Sequence, residues 1–140
     1  MRLYLDDLKQ TVSGVDGELY FAVDEAFFPA ENWREPVSTV LELWIPGFLS
    51  FAQGHTDVCL LELMDGPHSV KLYRDVSGPF RVSLLQDFKV IRSESEIDLS
   101  ELTRSVLCCL RTYDRTLHGW GQSPRWTKEQ SVLKQLLKQV

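Results

Sequence analysis

The chain lacks most of the features that would place it in a specialised class. Its three cysteines, Cys59, Cys108 and Cys109, are an odd number, and two of them are neighbours that cannot bridge each other without strain. That argues against a disulfide framework and for reduced thiols in a cytoplasmic protein. No apolar run reaches the roughly 18 residues a membrane-spanning helix needs. The opening Met-Arg-Leu-Tyr-Leu-Asp-Asp also lacks the apolar stretch of a secretory leader, so no membrane association is expected. Lys and Arg never cluster into the basic stripe that phosphate neutralisation requires, which argues against nucleic acid as a partner. Glycine-rich phosphate loops of either the P-loop or the dinucleotide type are missing, and no cofactor is expected.

Catalytic constellations are missing too. There is no Gly-x-Ser-x-Gly turn to present a serine nucleophile. Cys59 falls within a strand pattern and Cys108-Cys109 within a helix pattern, where apolar neighbours raise a thiol's pKa. His55, His68 and His118 are far apart; His55 with Asp57 and Cys59, the nearest combination to a metal site, reads as two solvated loop residues beside a packing thiol. Adjacent carboxylates such as Asp6-Asp7 and Asp24-Glu25 point to opposite faces of a strand, so neither pair converges by spacing alone. No catalytic and no metal-ligating residue is assigned.

What is present fits one ordinary domain over residues 1–140, with 44% hydrophobic, 25% charged and 11% aromatic residues. Net charge is −5, unevenly spread. Residues 1–65 carry three basic side chains (Arg2, Lys9, Arg34) against twelve acidic ones, whereas residues 66–140 carry twelve basic against eight. An acidic half of this kind either solvates the fold or presents a negative surface to a basic partner.

Hydrophobic periodicity orders the elements. Two β-prone runs, Arg2–Val12 and Glu18–Asp24, flank the turn-rich Ser13-Gly14-Val15-Asp16-Gly17 and predict a hairpin. Val37, Val40, Leu41, Trp44 and Phe48 recur at helical spacing after Pro36, and Pro46-Gly47 predicts a kink or stop near Ile45, with a further turn or two before Gly54. Val58–Met64 and Ser69–Arg74 form a hairpin around Asp65-Gly66-Pro67, and a third long strand runs from Phe80 to Ile91. Asp98 with Glu101 has capping-box spacing ahead of Leu99, Leu102, Val106, Cys109 or Leu110, Tyr113 and Leu117, with Gly119 as the stop. Thr127 with Gln130 opens a short last helix. The order β-β-α-β-β-β-α-α implies an α+β fold, an antiparallel sheet of about five strands with helices packed on one face.

Four tryptophans complete the picture. Trp44 lies on the apolar face of the first helix. Trp33 lies in an irregular segment beside Glu31, Arg34 and Glu35, as either a lid over the core or an interface anchor. If the segment binds a partner, Trp33 is its anchor, and Asp24, Glu25, Glu31 and Glu35 supply the field.

Phe28-Pro29 followed by Trp33, Pro36-Val37, Leu41 and Trp44, together with the Met64-Asp65-Gly66-Pro67 turn, resembles small bacterial immunity-type proteins of polymorphic or contact-dependent toxin systems. The likeness spans roughly residues 18–110; Pro46-Gly47 departs from the uninterrupted helix expected there. The resemblance implies a protein-binding module that neutralises a toxin by covering its active surface, with a basic toxin domain as partner. The alternative is a structural or adaptor protein that associates with itself or another chain through an exposed strand edge. An enzyme with a nonobvious acid-base site ranks third.

Overall fold

The computed structural model describes residues 1–139, without the side chains of Ser93 and Glu94. Two long strands open the chain, β1 (Arg2–Thr11) and β2 (Gly14–Val23), followed by the short β3 (Ala26–Phe28) and β4 (Arg34–Glu35). Helix α1 (Val37–Ala52) leads into β5 (Val58–Glu62), β6 (His68–Arg74), β7 (Phe80–Gln86) and β8 (Lys89–Ile97). Helices α2 (Leu99–Gly119) and α3 (Thr127–Lys138) close the chain.

The class is the expected one, α+β with antiparallel strands, and α1 and α2 pack against one face of the first sheet. The strands, however, divide between two four-stranded sheets rather than one of about five. In the first sheet β3 and β4 both pair with β2, so they occupy the edge at which β5 would have continued it. The second sheet is the meander β5-β6-β7-β8. Helix α1 lies between the two and touches both β2 and β5. Its Trp44 stacks on Phe21 at 5.5 Å and donates its indole N–H to the Glu62 carbonyl at 2.7 Å.

Three local expectations are corrected. The first hairpin turns at Val12-Ser13, and Asp16-Gly17 lies inside β2. Gly17 is needed there for close approach, because a Cβ would meet Leu8 Cδ2 at 2.6 Å and the Asp6 carbonyl at 3.2 Å. The long strand Phe80–Ile91 is in fact the hairpin of β7 and β8, turning at Asp87 (φ 52°) and Phe88 (φ 62°). Two consecutive positive φ values are the mark of the tight turn whose twist suits a hairpin. Finally, of the kink or stop expected near Ile45 the stop does not occur, and α1 runs through Pro46 to Ala52. Ile45, Phe48 and Phe51 on either side of it are each at most 2% exposed, and that burial outweighs the backbone bond the proline removes.

Helix α2 starts where its spacing implies, through one half of the capping box: the Asp98 carboxylate accepts from the amides of Ser100 and Glu101, while the Glu101 carboxylate pairs with the Met1 amine at 3.5 Å. Helix α3 begins at Thr127 with no side-chain cap. Its Gln130 turns back instead to Asp114, a carboxylate only 7% exposed that also accepts from the amides of Arg125 and Trp126. Asp114 thus satisfies the loop joining α2 to α3, and Trp126, 1% exposed, seals the joint. One continuous core runs through both sheets and all three helices.

Candidate functional site

The most distinctive surface is the face of the first sheet opposite the helices. Strand alternation sends Leu3, Leu19 and Phe21 to the helix side and Tyr4 and Tyr20, directly across from each other, to the opposite face, where Tyr4 is half-buried and Tyr20 only 9% exposed. Their rings stack at 5.4 Å with an interplanar angle of 13°. Phe27 of β3 meets both rings edge-on, at 6.5 Å from Tyr4 and 5.6 Å from Tyr20. The Arg2 guanidinium lies over the Tyr4 ring, 5.6 Å from its centre.

Carboxylates surround this aromatic floor. Asp6 and Glu18 are directly opposed one step further along the same outward face, a like-charge pair that weakens strand pairing. Burial pushes the Tyr20 phenol above its ordinary pKa, and the fields of Glu18 and Glu31, with Tyr4 and Asp6, push it the same way. Glu31, exposed in the segment after β3, thus adds its field to the same patch. The arrangement puts partly exposed aromatic rings, the Arg2 guanidinium and the carboxylates of Asp6 and Glu18 on one surface.

Part of the remaining N-terminal acidity is already engaged. Arg34 bonds Asp16 through Nε at 3.2 Å and a terminal nitrogen at 2.9 Å, and reaches Asp7 with the other at 2.9 Å. Asp7 sits at a bulge in β1 with φ 48°, so this clamp holds the irregular stretch of β1 against β4.

The residues expected at a partner surface fall into three groups. Asp24 (φ 47°) and Glu25 (φ 67°) form the exposed two-residue turn between β2 and β3, and Asp24 pairs with Arg92 at 3.6 Å. Glu31 is exposed, and its field reaches Tyr20. Trp33 and Glu35 lie elsewhere, at the junction between the two sheets. Trp33 is half-buried, edge-on to His68 at 5.3 Å, and donates its indole N–H to Glu35 at 3.1 Å. It packs against the core with part of its ring still exposed.

Glu35 must be removed from the surface set, because it is 1% exposed. Its carboxylate accepts from the amides of Met64 and Asp65, both at 3.2 Å, besides the Trp33 indole. Burial raises its pKa, while those three donors oppose the rise. The Met-Asp-Gly-Pro turn is thus an internal docking element that receives a carboxylate from the other sheet.

Tyr4, Tyr20 and Phe27 escaped the sequence reading. Their signal was the parallel alternation Arg2-Tyr4-Asp6 and Glu18-Tyr20-Ala22, which aligns the tyrosines only when the turn is placed at Val12-Ser13.

Other features show no chemistry. Burial pushes the Cys59 thiol up to about 11 and raises that of Cys109 as well, while Cys108 is exposed. A cleft of about 450 Å³ lies between the end of α1 and α3, and Gln53, Ser131, Val132, Gln135, Leu136 and Gln139 bring no ionisable group to it. Among the described residues, no three His, Cys, Asp or Glu side chains converge as metal ligands, and no helix is long and apolar enough to cross a membrane. Compared with family models, curated proteins and solved structures, the chain finds no match in any of the three.

Proposed function

We propose that this chain is a protein-binding module of immunity type, which neutralises a basic bacterial toxin domain in the cytoplasm by covering its active surface. The observation that carries the reading is the outward face of the first sheet, where Tyr4, Tyr20 and Phe27 form an aromatic floor within a ring of Asp6, Glu18 and Glu31. Rigid aromatic side chains give contact area at low entropic cost, and the carboxylate ring steers a basic partner and rejects acidic ones. The opposed Asp6–Glu18 pair weakens the free protein, and a cation from the partner would convert that repulsion into attraction. This surface takes over the partner-binding role that Trp33 and Glu35 were expected to play, and it keeps Glu31.

Growth rescue tests the proposal. Co-expression with a toxin domain encoded beside its gene should restore growth, and the Asp6→Lys/Glu18→Lys double variant should abolish the rescue while its thermal melt stays cooperative. Rescue by the double variant would move the interface elsewhere. Failure of the wild-type chain to bind or neutralise such a domain would remove the inhibitor reading.

Self-association through an open strand edge is the second reading, and β5 is its candidate, with Val58 51% and Leu60 47% exposed. The Trp44 indole already takes the Glu62 carbonyl, so part of the backbone of β5 is engaged by α1. A monomer by analytical ultracentrifugation at about 100 μM, a concentration at which even a weak dimer of about 10 μM Kd is mostly formed, would argue against it.

A further inference from the structure

We infer that the aromatic floor on the first sheet seats a single lysine or arginine side chain of the partner, and that Arg2 occupies this seat in the free protein. The inference rests on the protein-binding reading and specifies its chemistry. A ring face attracts a cation through its quadrupole, and a guanidinium or ammonium within about 6 Å of the ring centre is held in this way. Arg2 shows that geometry on Tyr4 at 5.6 Å. The surroundings favour the same kind of guest. Glu18, Glu31 and Asp6 all act on the Tyr20 phenol, and Tyr20 is stacked on the ring that Arg2 covers. A cation placed there meets the Tyr4 ring face within the field of these carboxylates, whereas an anion meets the same field as repulsion.

Access is also provided for. β1 is an end strand of the first sheet, so Tyr4 and Arg2 lie on its outermost strand, and Phe27 is 43% exposed on the opposite side of the floor. Arg2 itself is exposed and sits at the start of β1, where its side chain can leave the ring without disturbing the core. An incoming cation therefore displaces a neighbour on the same strand face and breaks no buried contact.

The test uses the full chain and a hexa-arginine amide peptide as probe, titrated at low and physiological salt, with a hexa-lysine amide alongside. Tyr4→Leu and Phe27→Leu leave every charge in place, and each should weaken peptide binding by about threefold to tenfold, the range expected for loss of a cation–ring contact. Equal binding by wild type and both variants would show that the acidic field acts alone and would overturn the seat.

Arg2→Gln and Lys9→Gln each remove one positive charge from β1, but only Arg2 lies on the ring. Arg2→Gln should tighten binding by about threefold more than Lys9→Gln, and an equal effect of the two would overturn the occupancy by Arg2. Should either leucine variant melt non-cooperatively, the aromatic ¹H–¹³C shifts of Tyr4 and Tyr20 in the wild-type chain decide. They move saturably with peptide if the seat is real, and stay fixed if it is not. Ring-dependent peptide binding without neutralisation of any toxin domain would leave the seat standing and end the inhibitor reading. Neutralisation with ring-independent peptide binding would do the reverse.

Discussion

The two sheets bury the same kind of inner face and expose different outer faces. Leu19, Phe21 and Val23 of the first sheet and Leu61, Val70, Leu72 and Val82 of the second enter one core, each at most 3% exposed. Outward, the first sheet shows tyrosines, Phe27 and carboxylates. The second shows Val58, Leu60, Tyr73 and Val90, with Lys71 lying 5.7 Å from the centre of the Tyr73 ring. Inner faces are dictated by the hydrophobic effect and converge on the same residue types, whereas outer faces are free to diverge. The imbalance of charge between the two halves of the chain is thus in part a difference between two surfaces of one fold.

The largest effect should come from the residue that joins the sheets. Glu35→Ala orphans the amides of Met64 and Asp65 and the Trp33 indole, and should destabilise the protein by about 3 kcal/mol in urea unfolding. Glu35 also carries a pH signature. Its folded pKa lies above the ordinary 4.5, so its contribution favours the folded state fully below that value and is lost as pH rises through the folded pKa. Wild type should therefore lose stability relative to Glu35→Gln in the window just above pH 4.5, and parallel stability-pH curves for the two would show that Glu35 ionises normally.

Asp114→Ala should cost about 2 kcal/mol, because it strips acceptors from two backbone amides and the Gln130 side chain. The damage should be confined to the α2–α3 joint, since α3 contacts α1 and α2. Hydrogen exchange should then quicken in α3 and leave β1 and β2 protected; uniform loss of protection would make Asp114 a determinant of the whole fold.

Pro46→Ala should act in the opposite direction. Pro46 is exposed within a helix, where proline is about 3 kcal/mol less favourable than alanine, and the relaxed unfolded chain of the variant returns part of the gain. A rise of about 1–2 kcal/mol is expected, and a fall would show that the proline packs against a neighbour worth more than the backbone bond.

Smallest is the change that tests the contrast between the outer faces most directly. Asp6→Asn removes the repulsion with Glu18 and should stabilise the free protein by about 0.3 kcal/mol while weakening its hold on a basic partner. Lys71→Glu on the second sheet should leave partner binding unchanged. Weaker binding in that variant would erase the functional distinction between the sheets.

Much of this was legible from periodicity and spacing. The cap at Asp98 and the β5–β6 hairpin each rest on contacts within a few residues, which sequence records directly, whereas the start of α3 at Thr127 was placed correctly although Asp114, not a local cap, holds it. The turn at Asp87-Phe88 was hidden because Phe88, 79% exposed, continues the apolar alternation of the strands it separates. Helix α1 outlasted Pro46 because its buried face is set by partners distant in the chain. The same holds at the site. Asp24, Glu25 and Glu31 are exposed as their charges suggest, but the burial of Glu35 depends on amides 29 and 30 residues away. A carboxylate between Arg34 and Pro36 gives no local sign of that.

The Asp6–Glu18 pair has a consequence in how the protein should respond to ions. Screening relieves a repulsion between exposed like charges, and it equally weakens attraction to a basic partner. The free chain should become slightly more stable as salt is added, at the same concentrations at which its complex loosens. Ionic strength would then move folding and binding in opposite directions through the same two carboxylates.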